Sequence, residues 1–167
     1  MPTETDALIL KIIEGDRLAT EEEMAAIARH VARASFPERL LPLRASFRAQ
    51  LEAAGHPITA RRLPSVEWHL LKRVVVEQQW PVGTTAGQYV ADLRQAVQSP
   101  EAQIWTYRYA TESTLAVMAP SHVTGPQNLP WLFVIYRPRF GAIVSGFQAS
   151  GPEAVFTDEF ERLRKHR

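Results

Sequence analysis

The chain has 167 residues, one domain's length, and its 46% hydrophobic against 22% charged residues exclude a disordered chain. Cysteine is absent, which rules out disulfides, thiolate metal sites and thiol nucleophiles. The net charge is only +1, yet Arg29 to Arg73 carries nine Lys and Arg against Glu38, Glu52 and Glu67, an asymmetry that admits an anionic partner.

Residues 1–6 read as a frayed terminus. Leu8 to Ile13 is a short apolar element, helix or strand; no basic region precedes it as a secretory signal requires. No stretch approaches the ~20 apolar residues of a membrane span, so a cytoplasmic address is expected. Thr20 and Glu23 form a capping box, and Met24, Ile27 and Val31 share one face of a helix predicted to end near Ser35. A second helix is predicted from Pro42, with Leu43, Phe47 and Leu51 buried and Gly55 as its cap. Residues 56–64 read as an irregular connection. A third helix, about Ser65 to Gln79, is apolar over most of its circumference and leaves one polar arc with His69, Lys72, Arg73 and Gln79. Trp80 to Gly83 breaks it, and Thr85 with Gln88 opens a fourth helix that stops at Ser99-Pro100.

From Ile104 the hydrophobic period changes to two. Ile104, Thr106 and Arg108 alternate with Trp105, Tyr107 and Tyr109, and a second strand runs around Leu115 to Met118. Residues 119–130 form a loop, Trp131 to Tyr136 a central strand apolar on both faces, and Ala142 to Gln148 its hairpin partner. Thr157 or Asp158 can cap a short terminal helix that buries Phe160 and Leu163. The expected fold is a single α+β domain, 1–167: N-terminal helices (about 18–99) packed on a C-terminal four-stranded antiparallel meander (about 103–149), then the terminal helix (about 157–166).

The five histidines are scattered without ligand spacing, so no metal site and no cofactor is expected. Gly83 to Gly87 lacks the lysine of a phosphate loop, and Ser145-Gly146 lies in a strand, not on a nucleophile elbow. The arc of His69, Lys72 and Arg73 is the strongest constellation, because residues at i, i+3 and i+4 adjoin on a helix. An imidazole and two cations could cleave a phosphodiester without metal, the histidine moving the 2′-hydroxyl proton and the cations holding charge on phosphate. The plainer reading is a solvated stripe on a buried helix. The aromatics Trp105, Tyr107 and Tyr109 could stack bases, though such a stripe is more often core.

Helices followed by a four-stranded meander, with residues 132–148 (LFVIYRPRFGAIVSGFQ) as its last hairpin, resemble the barnase/EndoU/colicin/RelE group of small ribonucleases, many of them bacterial toxin domains. The resemblance implies a metal-independent RNA-cleaving site. His69 would be its general acid/base, with Lys72 and Arg73 as phosphate contacts and Arg108, Arg137, Ser145 and Gln148 as sheet-side support. It also implies RNA, and an acidic inhibitor protein, as partners. The alternatives are a non-catalytic binding or scaffolding domain of the same fold, and a small-molecule enzyme with its pocket between the helices and the strand 131–136. Nothing in the sequence sets an oligomeric state.

Overall fold

The computed structural model describes residues 3–167. The chain is α+β, with five helices and a five-stranded antiparallel sheet, one face of which is covered by helices. Helix α1 (Glu4–Glu14) is capped by Thr3, whose hydroxyl accepts from the Asp6 N–H while the Asp6 carboxylate accepts from the Thr3 N–H. The apolar run from Leu8 is therefore helical, and the expected frayed terminus is ordered from Thr3 onward. Helix α2 (Glu21–Val31) keeps its predicted capping box and ends four residues early.

The sheet consists of β3 (Gln103–Tyr109), β4 (Glu112–Pro120), β5 (Trp131–Arg137), β6 (Ala142–Ala149) and β7 (Glu161–Lys165), in the order β6-β5-β4-β3-β7. The first four are the expected meander. The expected terminal helix is instead a fifth strand: β7 pairs antiparallel with β3, Trp105 opposite Lys165. The apolar pair Phe160 and Leu163 suits a helix locally, but pairing with an open sheet edge outweighs local propensity.

Ile104, Leu115, Val117, Leu132 and Val134 face the helices and form one core with Ile9, Ile12, Ile27, Leu93 and Val97. Helix α5 (Ala86–Gln98) crosses β4 and β5, and Gly146 on β6 lets it come close: a Cβ there would collide with the Leu93 side chain. On the opposite face, Tyr107, Phe133 and Ile135 are covered by Phe156 and Phe160, which follow β6. The aromatic stripe of β3 is thus largely core, with Tyr107 buried between those rings and Tyr109 exposed at the strand end.

A polar latch joins distant segments. The buried Tyr136 hydroxyl donates to Asp6 Oδ1 at 2.5 Å, and His30 Nε2 lies 3.1 Å from that carboxylate and 2.9 Å from the hydroxyl. Burial, reinforced by the Asp6 carboxylate, pushes the phenol's pKa up and keeps it a donor.

Residues 39–64 form a small lobe. Strands β1 (Leu40–Pro42) and β2 (Arg62–Pro64) pair antiparallel and bracket α3 (Ala45–Ala53). Pro42 belongs to the ribbon, so α3 starts three residues after the expected position. Residues 56–61 remain irregular, and the segment's end is strand β2.

Candidate functional site

Helix α4 (Ser65–Leu71) continues into a π-helical segment, Lys72–Val76, closed by the Glu77 N–H donating to the Lys72 carbonyl at 2.9 Å. This rod is apolar nearly all round because it serves two cores. Val66, Leu70 and Val74 pack on the main core, while Trp68, Leu71 and Val76 pack on the lobe's Leu43, Phe47, Leu51 and Leu63. The remaining arc carries His69, Lys72 and Arg73. Wide π turns recur at functional sites, and here the turn begins within that arc.

Arg73 is 6% exposed and reaches the edge strand β6. Its Nε donates to the Gly146 carbonyl at 2.8 Å, Nη2 to Ser145 Oγ at 2.9 Å, and Nη1 to Glu77 Oε1 at 2.5 Å, with the guanidinium 5.4 Å from the Phe147 ring centre. The Tyr89 hydroxyl donates to the same Gly146 carbonyl. Further along β6, the Gln148 N–H donates to Gln79 Oε1, and Gln79 Nε2 donates to the Gln148 carbonyl. The Gln148 side chain returns a bond to the Gln79 carbonyl and accepts from Ser121 and from the Leu129 N–H. An edge strand normally exposes such groups to pairing, and here side chains of the helical layer occupy them.

The helix arc and the last hairpin therefore meet, through Arg73 and Ser145, with Gln148 held beside them by Gln79. The other sheet-side residues stand apart. Arg108 lies three strands from β6, about 14 Å at ordinary strand spacing, beside a cavity it shares with Arg139, Leu10 and Glu14. Arg137 shares the far face of the sheet with Ile135, and its charge opposes the upward push that burial gives the Tyr107 hydroxyl. The Nε atoms of both arginines are buried without a hydrogen-bond partner.

His69 lies between Phe36 (ring centres 5.5 Å apart) and Trp68 (4.8 Å). Burial, followed by the Arg73, Lys72 and Arg39 charges, pushes its pKa down to about 3, so it is neutral at pH 7. Its Nδ1 is buried without a hydrogen-bond partner. Lys72 Nζ sits 5.3 Å from the centre of the Trp68 ring, whose Nε1 donates to the Pro42 carbonyl.

The lobe carries further cations, of which Arg44 shares a groove with Trp68 and Lys72. Arg39, Arg44, Arg61 and Arg62 are exposed, and among the described residues neither they nor Lys72 have a carboxylate within 4.0 Å. A groove of 330 Å³ runs between Arg44, Gln50, Trp68 and Lys72. Part of the positive excess between Arg29 and Arg73 falls on this lobe, whose two ends the ribbon pairing Leu41 with Leu63 brings together.

Among the described residues no three His, Asp or Glu side chains gather as metal ligands, and no helix is long and apolar enough to cross a membrane. Comparison with family models, with curated proteins and with solved structures gives no match to this chain.

Proposed function

We propose that the protein binds RNA, and that the lobe around Trp68 and Lys72 is its binding face. The carrying observation is a groove walled by the Trp68 indole and two cations, Arg44 and Lys72, on a lobe whose further exposed arginines, Arg39, Arg61 and Arg62, also lack carboxylate partners among the described residues. Phosphate contacts supply most of the affinity for a nucleic acid, and aromatic faces beside them give bases a stacking surface. A cytoplasmic address and an acidic inhibitor protein that covers the same cations belong with this reading.

A second reading, metal-independent cleavage of the bound RNA, is favoured by the unpartnered Nδ1 of His69, since a buried polar atom left unsatisfied often marks function. Three cations help hold that imidazole neutral. A phosphodiester bound among them would offset their charge and make the ring a stronger base toward a 2′-hydroxyl. In this reading Arg73 and Gln148 hold the hairpin in place, because their polar atoms are already bonded within the chain.

The test is fluorescence anisotropy of a labelled single-stranded RNA across a salt series with EDTA present. The wild type is expected to bind with a log K that falls linearly with log salt. Arg61→Glu/Arg62→Glu should weaken binding at least about tenfold and flatten the slope by roughly 1.4, two phosphate contacts' worth on a single strand. Equal binding by wild type and double variant would reject the lobe as the RNA face. Cleavage is read in the same samples as 2′,3′-cyclic phosphate ends that disappear in His69→Gln; intact RNA with wild-type binding leaves the non-catalytic form.

A further inference from the structure

Away from the lobe, Asp92 on α5 accepts two hydrogen bonds. Trp80 Nε1 donates to its Oδ2 at 3.0 Å, and His122 Nε2 lies 3.1 Å from its Oδ1. An ionised carboxylate only accepts, so Nε2 carries the hydrogen, and in the neutral form of the ring the lone pair is on Nδ1. The carboxylate is positioned from the interior: Trp80 is 1% exposed and meets Tyr89 edge-on at 5.0 Å. The loop that carries His122 is fixed too. Ser121 Oγ donates to Gln148, the Gln127 N–H donates to the Gln78 carbonyl, and Gly125 packs so closely on the Gln79 backbone that a Cβ would collide.

The dyad borders a cavity of 470 Å³ whose other walls include Thr84, Gln88 and Thr124, with no lysine or arginine among them. Val82, Gly83 and Thr84 also wall a neighbouring cavity of 420 Å³, faced by Leu70, Leu71, Val74 and Val75. Val82, on the rim of both, is 90% exposed, the highest value among the exposed large hydrophobic side chains. A surface ion pair that only pins a loop needs neither an oriented free nitrogen nor an adjoining apolar cavity.

We propose that His122 is the general base of a second site, separate from the RNA face, that hydrolyses small neutral esters bearing an apolar acyl chain. Neutrality follows from the walls, where Asp92 disfavours anions and no cation offsets it. The acyl chain would lie against Val82 and the cavity beyond. In the reaction a water proton moves to Nδ1 and the water oxygen bonds to the acyl carbon. The bond from that carbon to the alcohol oxygen breaks with its electron pair on oxygen, and the imidazolium returns the proton there. Asp92 is a positioning residue that fixes the tautomer and aims the ring.

The probes are p-nitrophenyl acetate and p-nitrophenyl hexanoate, followed as nitrophenolate release by the full chain. The wild type should turn over the hexanoate with saturation and prefer it to the acetate. His122→Ala should lose at least about tenfold in kcat/KM, within the ordinary worth of a general base. Asp92→Asn should lower kcat severalfold at unchanged KM, and Val82→Asp should abolish the chain-length preference. These positions are partly or wholly exposed, and Trp80 fluorescence with RNA binding in the same samples verifies folding and keeps the two sites separable. Hydrolysis by His122→Ala at the wild-type rate, or a wild type without saturable hydrolysis, would overturn the proposal.

Discussion

Lys72 and Arg73 are neighbours in sequence, and the regions they serve use positive charge in opposite ways. At the edge of β6 every guanidinium nitrogen of Arg73 is bonded to Gly146, Ser145 or Glu77 and hardly touches solvent. In the lobe, Lys72 joins Arg39, Arg44, Arg61 and Arg62, which lack carboxylate partners among the described residues. A buried charge with each of its nitrogens engaged holds the chain to itself, whereas exposed cations without counter-ions add little to folding and are free for an anion. Charge type alone does not separate structural from binding residues; the state of each donor does.

Five variants test this contrast. The largest effect belongs to the sheet edge: Gly146→Val drives a side chain into the buried Leu93 and should cost about 3 kcal/mol or more, read as a lowered midpoint in chemical denaturation. Arg73→Ala leaves the Gly146 carbonyl one donor short and Glu77 without its ion-pair partner, and should cost about 2–4 kcal/mol in the same assay. Arg73→Lys should recover less than half of it, because an ammonium cannot reproduce the three-way fork.

His69 stands between the two regions and its test is pH. Unfolded, its imidazole takes a proton near pH 6.5, whereas in the fold its pKa is about 3. The unfolded state thus holds more protons between those values, and stability falls as pH drops through that window, by up to about 1.4 kcal/mol per unit from this group. His166, also lowered by burial, acts in the same sense, so the reading is the difference from His69→Leu, whose slope should be shallower. The smallest effect on folding is at the lobe: Arg61→Glu/Arg62→Glu should move stability by less than about 0.5 kcal/mol while RNA binding collapses. A large loss of stability there would break the contrast.

Much of the architecture was legible in the residues. The Thr20 and Thr85 capping boxes, the change of period at Ile104 and the doubly apolar run at Trp131 are local signals, and each marks the element it implied. The errors lie where distant partners decide. Glu161 to Lys165 becomes a strand because β3 offers it an edge, and Pro42 joins a ribbon because Arg62 lies opposite. Of the helix arc, Arg73 is bonded to Ser145 of the last hairpin, whereas His69 lies against Phe36 and Trp68 and Lys72 over Trp68. The engagement of every Arg73 guanidinium nitrogen was not legible, because Gly146 is 73 residues away and its carbonyl leaves no compositional trace. Asp92 and His122 likewise carry no shared motif across the thirty residues between them.

The latch between Asp6 and Tyr136 has a consequence for the order of assembly. The hydroxyl that satisfies the buried carboxylate of α1 lies 130 residues further along the chain. Ile9, Ile12 and Ile13 pack on a sheet that begins only at Gln103, and such long-range closure slows folding. Helix α1 therefore gains its full set of polar partners only once β5 is in place.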